Sequence, residues 1–119
     1  MKNILIVDDD TGIVELLKSR LKANGYHVAT AEDGLEALSK IKSEKPDLII
    51  MDVYMPHLDG LSFFQEVQSD EELREIPILV VSGVKSMRDI FEPMKITKFL
   101  TKPFNANELL ASIKECVGR

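Results

Sequence analysis

Hydrophobic and polar residues along this chain fall into two alternating kinds of segment. Short, nearly unbroken apolar runs rich in β-branched residues occur at Ile4 to Val7, Asp47 to Met51 and Ile78 to Val81. Runs of that kind predict parallel strands covered on both faces. Two weaker strands fit His27 to Ala31 and Lys98 to Thr101. Between them the period lengthens: Ile13, Leu16, Leu17, Arg20, Leu21 and Asn24 follow i, i+3, i+4 spacing, with Gly25 at the expected stop. Gly34 to Ser43, Leu61 to Glu72, Ser86 to Met94 and Ala106 to Val117 supply four more helices, the last with Leu109, Leu110, Ile113 and Val117 on its inner side. Pro93 removes a backbone donor, so the fourth helix is expected to end near Glu92.

Five strands alternating with five helices predict an α/β fold, a doubly wound five-stranded parallel sheet. Right-handed crossovers put the carboxyl ends of all strands on one edge, where ligands bind in such sheets. Asp8 and Asp9, Asp52, Ser82 and Lys102 fall at the ends of the first, third, fourth and fifth strands. The polar candidates therefore converge.

Composition narrows the setting. At 119 residues, 45% apolar and 29% charged, the chain is expected to form one globular domain over residues 1–119 with no output domain after the last helix, as a stand-alone domain or as one excised from a longer protein. No apolar run approaches the roughly 20 residues of a membrane helix, and Asp8 to Asp10 interrupt the first run too early for a signal peptide. A cytoplasmic location and no membrane insertion are expected. Cys116 is the single cysteine, so no internal disulfide or cysteine metal cluster can form. The net charge is -5, but residues 85–119 carry 7 basic and 4 acidic groups. That positive third is either a lysine-rich solvated surface or a docking face for an acidic partner; direct nucleic-acid binding is not expected.

Individually, each polar candidate has an ordinary explanation. Asp10 or Thr11 can cap the first helix, Asp52 and Asp59-Gly60 can begin turns, Ser82-Gly83 can be a loop, and Lys102 a surface lysine. Together, three carboxylates from two strands make a hard-oxygen site suited to Mg2+, which offsets their mutual repulsion. A carboxylate beside the ion can accept a phosphoryl group, whose oxygens Lys102 and Ser82 would meet.

The stretch Asp52-Val-Tyr-Met-Pro-His-Leu-Asp-Gly60, with the acid pair after strand one, Ser82-Gly83 and Lys102-Pro103, resembles the receiver domain of response regulators in two-component signalling, over the whole chain. The resemblance implies a flavodoxin-like strand order 2-1-3-4-5 and a phosphorylation-activated switch that is not an enzyme in the ordinary sense, though it assists its own phosphorylation and dephosphorylation. Its partners would be a sensor histidine kinase or histidine phosphotransfer protein upstream, and a target protein or output domain downstream. Asp52 would be the phosphoacceptor. Asp9, Asp52 and the Tyr54 backbone carbonyl would bind Mg2+ directly, and Asp8 mainly through water. Ser82 would move to meet the phosphoryl group, Lys102 would contact it, and Phe99 would be the switch aromatic on the face of helix four, strand five and helix five. A cis peptide before Pro103 is implied as well. Tyr54 and Val84 border the family's path for the hydrolysing water, so their bulk is expected to slow dephosphorylation.

Three departures bear on partner choice: a short segment between Ser82 and Lys102, no Gly-Ala before the fifth strand, and Pro93. Two rival sites fit less well. A haloacid-dehalogenase-like phosphatase needs Asp-x-Asp-x-Thr, whereas Thr11 directly follows Asp10, and a flavodoxin's flavin phosphate would be repelled by three aspartates. A receiver-like interaction module that is never phosphorylated would not need every chemical position filled.

Overall fold

The structure is a computed structural model that describes residues 2–52, 60–82, 98–102 and 104–117. In chain order these form β1 (Asn3–Val7), α1 (Thr11–Ala23), β2 (His27–Ala31), α2 (Gly34–Ser43), β3 (Leu48–Asp52), α3 (Gly60–Ser69), β4 (Ile78–Ser82), β5 (Lys98–Thr101) and α4 (Ala106–Val117). The predicted helix Ser86 to Met94 with Pro93, together with Tyr54, Val84 and the peptide before Pro103, lies outside the described residues.

The five strands are parallel and ordered β2-β1-β3-β4-β5, as expected. The unbroken apolar runs are explained by period-2 alternation between two covered faces. Leu5, Val7, Ile49, Met51, Ile78, Val80 and Phe99 pack with Ala37 and Ile41 of α2 and Phe63, Phe64 and Val67 of α3. Ile4, Ile6, Leu48, Ile50, Leu79, Val81 and Leu100 face the other way, against Val14, Leu17 and Leu21 of α1 and Leu109 and Ile113 of α4. Each fully buried aliphatic side chain contributes about 1.5–3 kcal/mol by leaving water, so both layers hold the strand ends in fixed register.

The helix ends are set by local chemistry. Asp10 caps α1, its Oδ1 accepting from the backbone N–H of Gly12 at 3.0 Å and of Ile13 at 3.1 Å. Gly25, at φ 87°, turns the chain from α1 into β2 in a region that a side chain disfavours. Asp33 accepts the Glu36 N–H at the start of α2. Asn105 and Glu108 form a reciprocal capping box before α4.

Several boundaries differ from expectation; β1 starts one residue earlier, at Asn3, α3 one residue earlier, at Gly60, and β4 ends one residue later, at Ser82. β3 runs Leu48–Asp52, one residue later than predicted at each end, because Asp47 is engaged with Asn3: its carboxylate accepts the Asn3 N–H and its own N–H donates to the Asn3 carbonyl. The shift brings Asp52 into the ladder opposite Val81. α3 stops at Ser69, three residues short of Glu72. There the Ser69 hydroxyl donates to the Glu66 carbonyl and Asp70 Oδ1 accepts the Glu72 N–H, a local turn that competes with further helix. The acids Asp70 to Glu72 would also meet the negative end of the helix dipole.

Candidate functional site

The carboxyl edge of the sheet gathers the predicted groups. Asp8 follows β1 and is tied to β2 by its N–H, which donates to the Ala31 carbonyl at 3.1 Å. Asp52 closes β3, Ser82 closes β4 opposite Thr101 of β5, and Lys102 follows, its N–H donating to the Ser82 carbonyl at 2.8 Å. Backbone bonds on adjacent strands therefore position Asp8, Ser82 and Lys102.

Asp8, Asp9 and Asp52 each offer a carboxylate oxygen, and these oxygens lie within 4.8 Å of one another. Asp9 is exposed, Asp52 half-buried and Asp8 only 3% exposed. Asp8 Oδ1 accepts the Asp10 N–H at 2.9 Å, whereas its buried Oδ2 has no hydrogen-bond partner among the described residues. Lys102 Nζ lies 3.1 Å from Asp52 Oδ2 and 3.7 Å from Asp8 Oδ2. One ammonium thus faces two carboxylates of a three-acid group.

Electrostatics follow from that imbalance. Burial pushes the Asp8 carboxyl above its ordinary value; the Asp10 N–H opposes this, the Asp52 charge adds to it, Lys102 opposes it and Asp9 adds to it. A buried carboxylate oxygen without a donor, beside two further carboxylates, has the charge and chemistry to receive a hard cation. The residues present fit Mg2+ on that ground.

Ser82 is buried, and by strand alternation it shares a sheet face with Val80, whose register partner is Phe99. Phe99 is itself buried on that face among Val80 and its neighbours. Thr101, which the sequence reading passed over, places a second hydroxyl residue opposite Ser82; its signal was its position directly before Lys102. Asp10, the third acid of the opening run, serves the helix start and is absent from the carboxylate cluster.

A parallel doubly wound sheet with three acids, a lysine and a serine at its carboxyl edge defines a class of α/β domain with a hard-oxygen site. The response regulator receiver domain family matches residues 4–114. The chain is 37% identical over 118 residues to the alkaline phosphatase synthesis transcriptional regulatory protein PhoP of Bacillus subtilis (strain 168), covering 99% of this chain and 49% of that protein. Among solved structures it is similar to the response regulator TrrA of Thermotoga maritima in complex with Mg2+ and BeF, at 35% identity and a TM-score of 0.89 over 98% of this chain and 99% of that one. The chemotaxis response regulator CheY4 of Vibrio cholerae gives 33% identity and a TM-score of 0.91 over 98% of both chains. The chain belongs to the response-regulator receiver domain family of two-component signalling. It spans about half the length of the curated relatives it matches.

Proposed function

We propose that this domain is a phosphorylation-activated switch in which Asp52 accepts a phosphoryl group from a sensor histidine kinase or a histidine phosphotransfer protein, in the cytoplasm. The observation that carries the proposal is the three-carboxylate group with the Lys102 ammonium 3.1 Å from Asp52. Asp9 and Asp52, with the Tyr54 carbonyl, would hold Mg2+ directly, and Asp8 mainly through water. When bound, the ion neutralises charge on the phosphoryl oxygens and on the acids around them. TrrA, a similar receiver crystallised with Mg2+ and BeF, supports Mg2+ as the ion.

The protein's own groups do the rest. Asp52 Oδ attacks phosphorus, the bond from phosphorus to the donor nitrogen breaks, and an acyl phosphate remains on Asp52. Lys102, already beside Asp52, meets the new anionic oxygens. Ser82 is buried at the end of β4, so its hydroxyl reaches the phosphoryl group by moving. Phe99 lies one register pair behind on the same face, and the Ser82 movement alters the space that ring fills. The face that includes β5 and α4 then presents a changed surface to a downstream target or output domain. A phosphoryl contact set worth about 2–3 kcal/mol shifts the two populations by roughly 30- to 150-fold, enough for a regulatory switch.

The test is incubation with acetyl phosphate and Mg2+ followed by intact mass measurement. The wild type gains one phosphoryl group and Asp52→Asn gains none. Labelling of Asp52→Asn to the wild-type extent would overturn the assignment.

A further inference from the structure

The end of the domain opposite the carboxylates has its own character. Helices in this fold end at the amino edge of the sheet, and on the β1/β2 side those ends are basic: Arg20 and Lys22 close α1, Lys40 and Lys42 close α2. Lys2 and Lys45 lie in the adjoining segments, so six cations stand near the start of edge strand β2 against three carboxylates, Glu44, Asp47 and Glu36, the last paired with Lys40 at 3.7 Å. All six except Lys40 are exposed. Basic residues in a last helical turn are favoured by the helix dipole, which accounts for each helix singly. It does not account for the groove beside the end of α2.

That groove has a volume of about 250 Å3 and is lined by β1 and β2 residues, including Leu5, His27 and Ala29, and by Lys40, Glu44, Lys45 and Pro46. It is smaller than the roughly 300–1,000 Å3 of a typical small-molecule pocket, and suits one or two side chains of a longer ligand. The rim is a strand edge. Among the described residues, β2 pairs only with β1. The His27 N–H donates to Lys2 and the Ala31 carbonyl accepts from Asp8, so the odd-numbered residues of β2 face β1. The main-chain groups of Val28 and Thr30 consequently face outward. Lys40 Nζ donates to the Thr30 carbonyl, leaving the Val28 end of the edge beside the groove.

We propose that the β2 edge and its groove bind an extended acidic segment of a partner protein by strand addition, with main-chain bonds to Val28 and with Lys42, Lys45, Arg20 and Lys22 meeting its carboxylates. The edge supplies directional hydrogen bonds, the groove accepts an apolar side chain, and the cations select for negative charge. This site lies at the other end of the strands from Asp52 and does not depend on phosphorylation.

The experiment uses the full chain and a short fluorescein-labelled peptide of glutamates with valines at alternate positions. Fluorescence anisotropy measures affinity, and amide chemical shifts locate the contact. Saturable binding is expected, with the largest shifts over His27 to Thr30. Affinity should fall at least tenfold for Lys42→Glu/Lys45→Glu and for a glutamine version of the peptide, and remain unchanged for Asp52→Asn and for Lys114→Glu on distant α4. Absence of saturable binding, shifts centred elsewhere, or indifference to the double charge reversal would overturn the proposal. Tighter binding of a single-stranded oligonucleotide than of the peptide would also overturn it, by showing a general polyanion surface.

Discussion

Asp8→Asn should stabilise the protein when Mg2+ is absent and abolish most of the stabilisation that Mg2+ gives. The Asp8 side chain is buried, its Oδ2 lacks a hydrogen-bond donor among the described residues, and two carboxylates lie within 4.8 Å. A buried polar atom left unpaired costs about 1–3 kcal/mol. In the variant the side-chain carbonyl oxygen keeps the bond from the Asp10 N–H, while the new amide group can donate towards Asp52. Against this stands the lost attraction of Lys102, at 3.7 Å. The net expectation is a gain of about 1–2 kcal/mol, which raises Tm by about 4–8 °C in a domain of this size. For the wild type, Mg2+ at tenfold its Kd adds about 1.4 kcal/mol by selective binding to the folded state.

Calorimetric scans of both proteins in chelator and in millimolar Mg2+ measure all four values. Acidification shifts the comparison in a definite direction. Because the folded-state pKa of Asp8 is raised above 3.8, the native protein binds more protons than the unfolded chain between the two values. The penalty from this group is complete above the folded value and fades as pH falls towards 3.8, so the advantage of Asp8→Asn narrows on acidification. A variant less stable than wild type in chelator, or one retaining the full Mg2+ response, would show that the buried charge is not the controlling cost.

Four other outcomes are expected. Lys102→Met removes the cation 3.1 Å from Asp52 and should slow phosphoryl gain from acetyl phosphate by about 10²–10³; a rate within twofold of wild type would contradict its role. Asn105→Ala breaks the reciprocal cap of α4 and should cost about 1 kcal/mol in urea denaturation, with no change in slope. Burial, and then the Glu115 charge, push the Cys116 thiol up to about 11 from 9.0, so iodoacetamide at pH 8 should modify it about tenfold more slowly than an ordinary thiol, the smaller thiolate fraction being partly offset by a more nucleophilic thiolate; equal rates would contradict that burial. Tyr54→Asn should shorten the lifetime of the phosphorylated protein, followed by loss of mass over time.

Periodicity revealed most of the fold because two covered faces impose near-continuous apolar strands, and because amphipathic helices repeat every three to four residues. It missed the β3 start because Asp47 spends its hydrogen bonds on Asn3, and it overran α3 because Asp70 closes a turn that apolar spacing does not register. At the site, topology brings Asp8, Asp9, Asp52, Ser82 and Lys102 to one edge, and their identities were legible from the ends of the strands. The unequal burial of the acids was not. That Asp8 is sealed with an oxygen that accepts no hydrogen bond among the described residues, while Asp9 is exposed, depends on how β1 leaves the sheet, held by the Asp8 N–H on Ala31. Nor does the chain order disclose that Ser82 and Phe99 share a face, which follows from the β4–β5 register.

The most direct measurement is the chemical location of the phosphoryl group. Borohydride reduces an acyl phosphate to the alcohol, so an aspartyl phosphate becomes homoserine and can be placed by peptide mass spectrometry. After treatment with acetyl phosphate, homoserine is expected at position 52, formed with Mg2+ and absent in chelator. Homoserine at Asp8, Asp9 or Asp10 in place of Asp52, or none at any position after phosphorylation in Mg2+, would contradict the assignment of Asp52 as the acceptor.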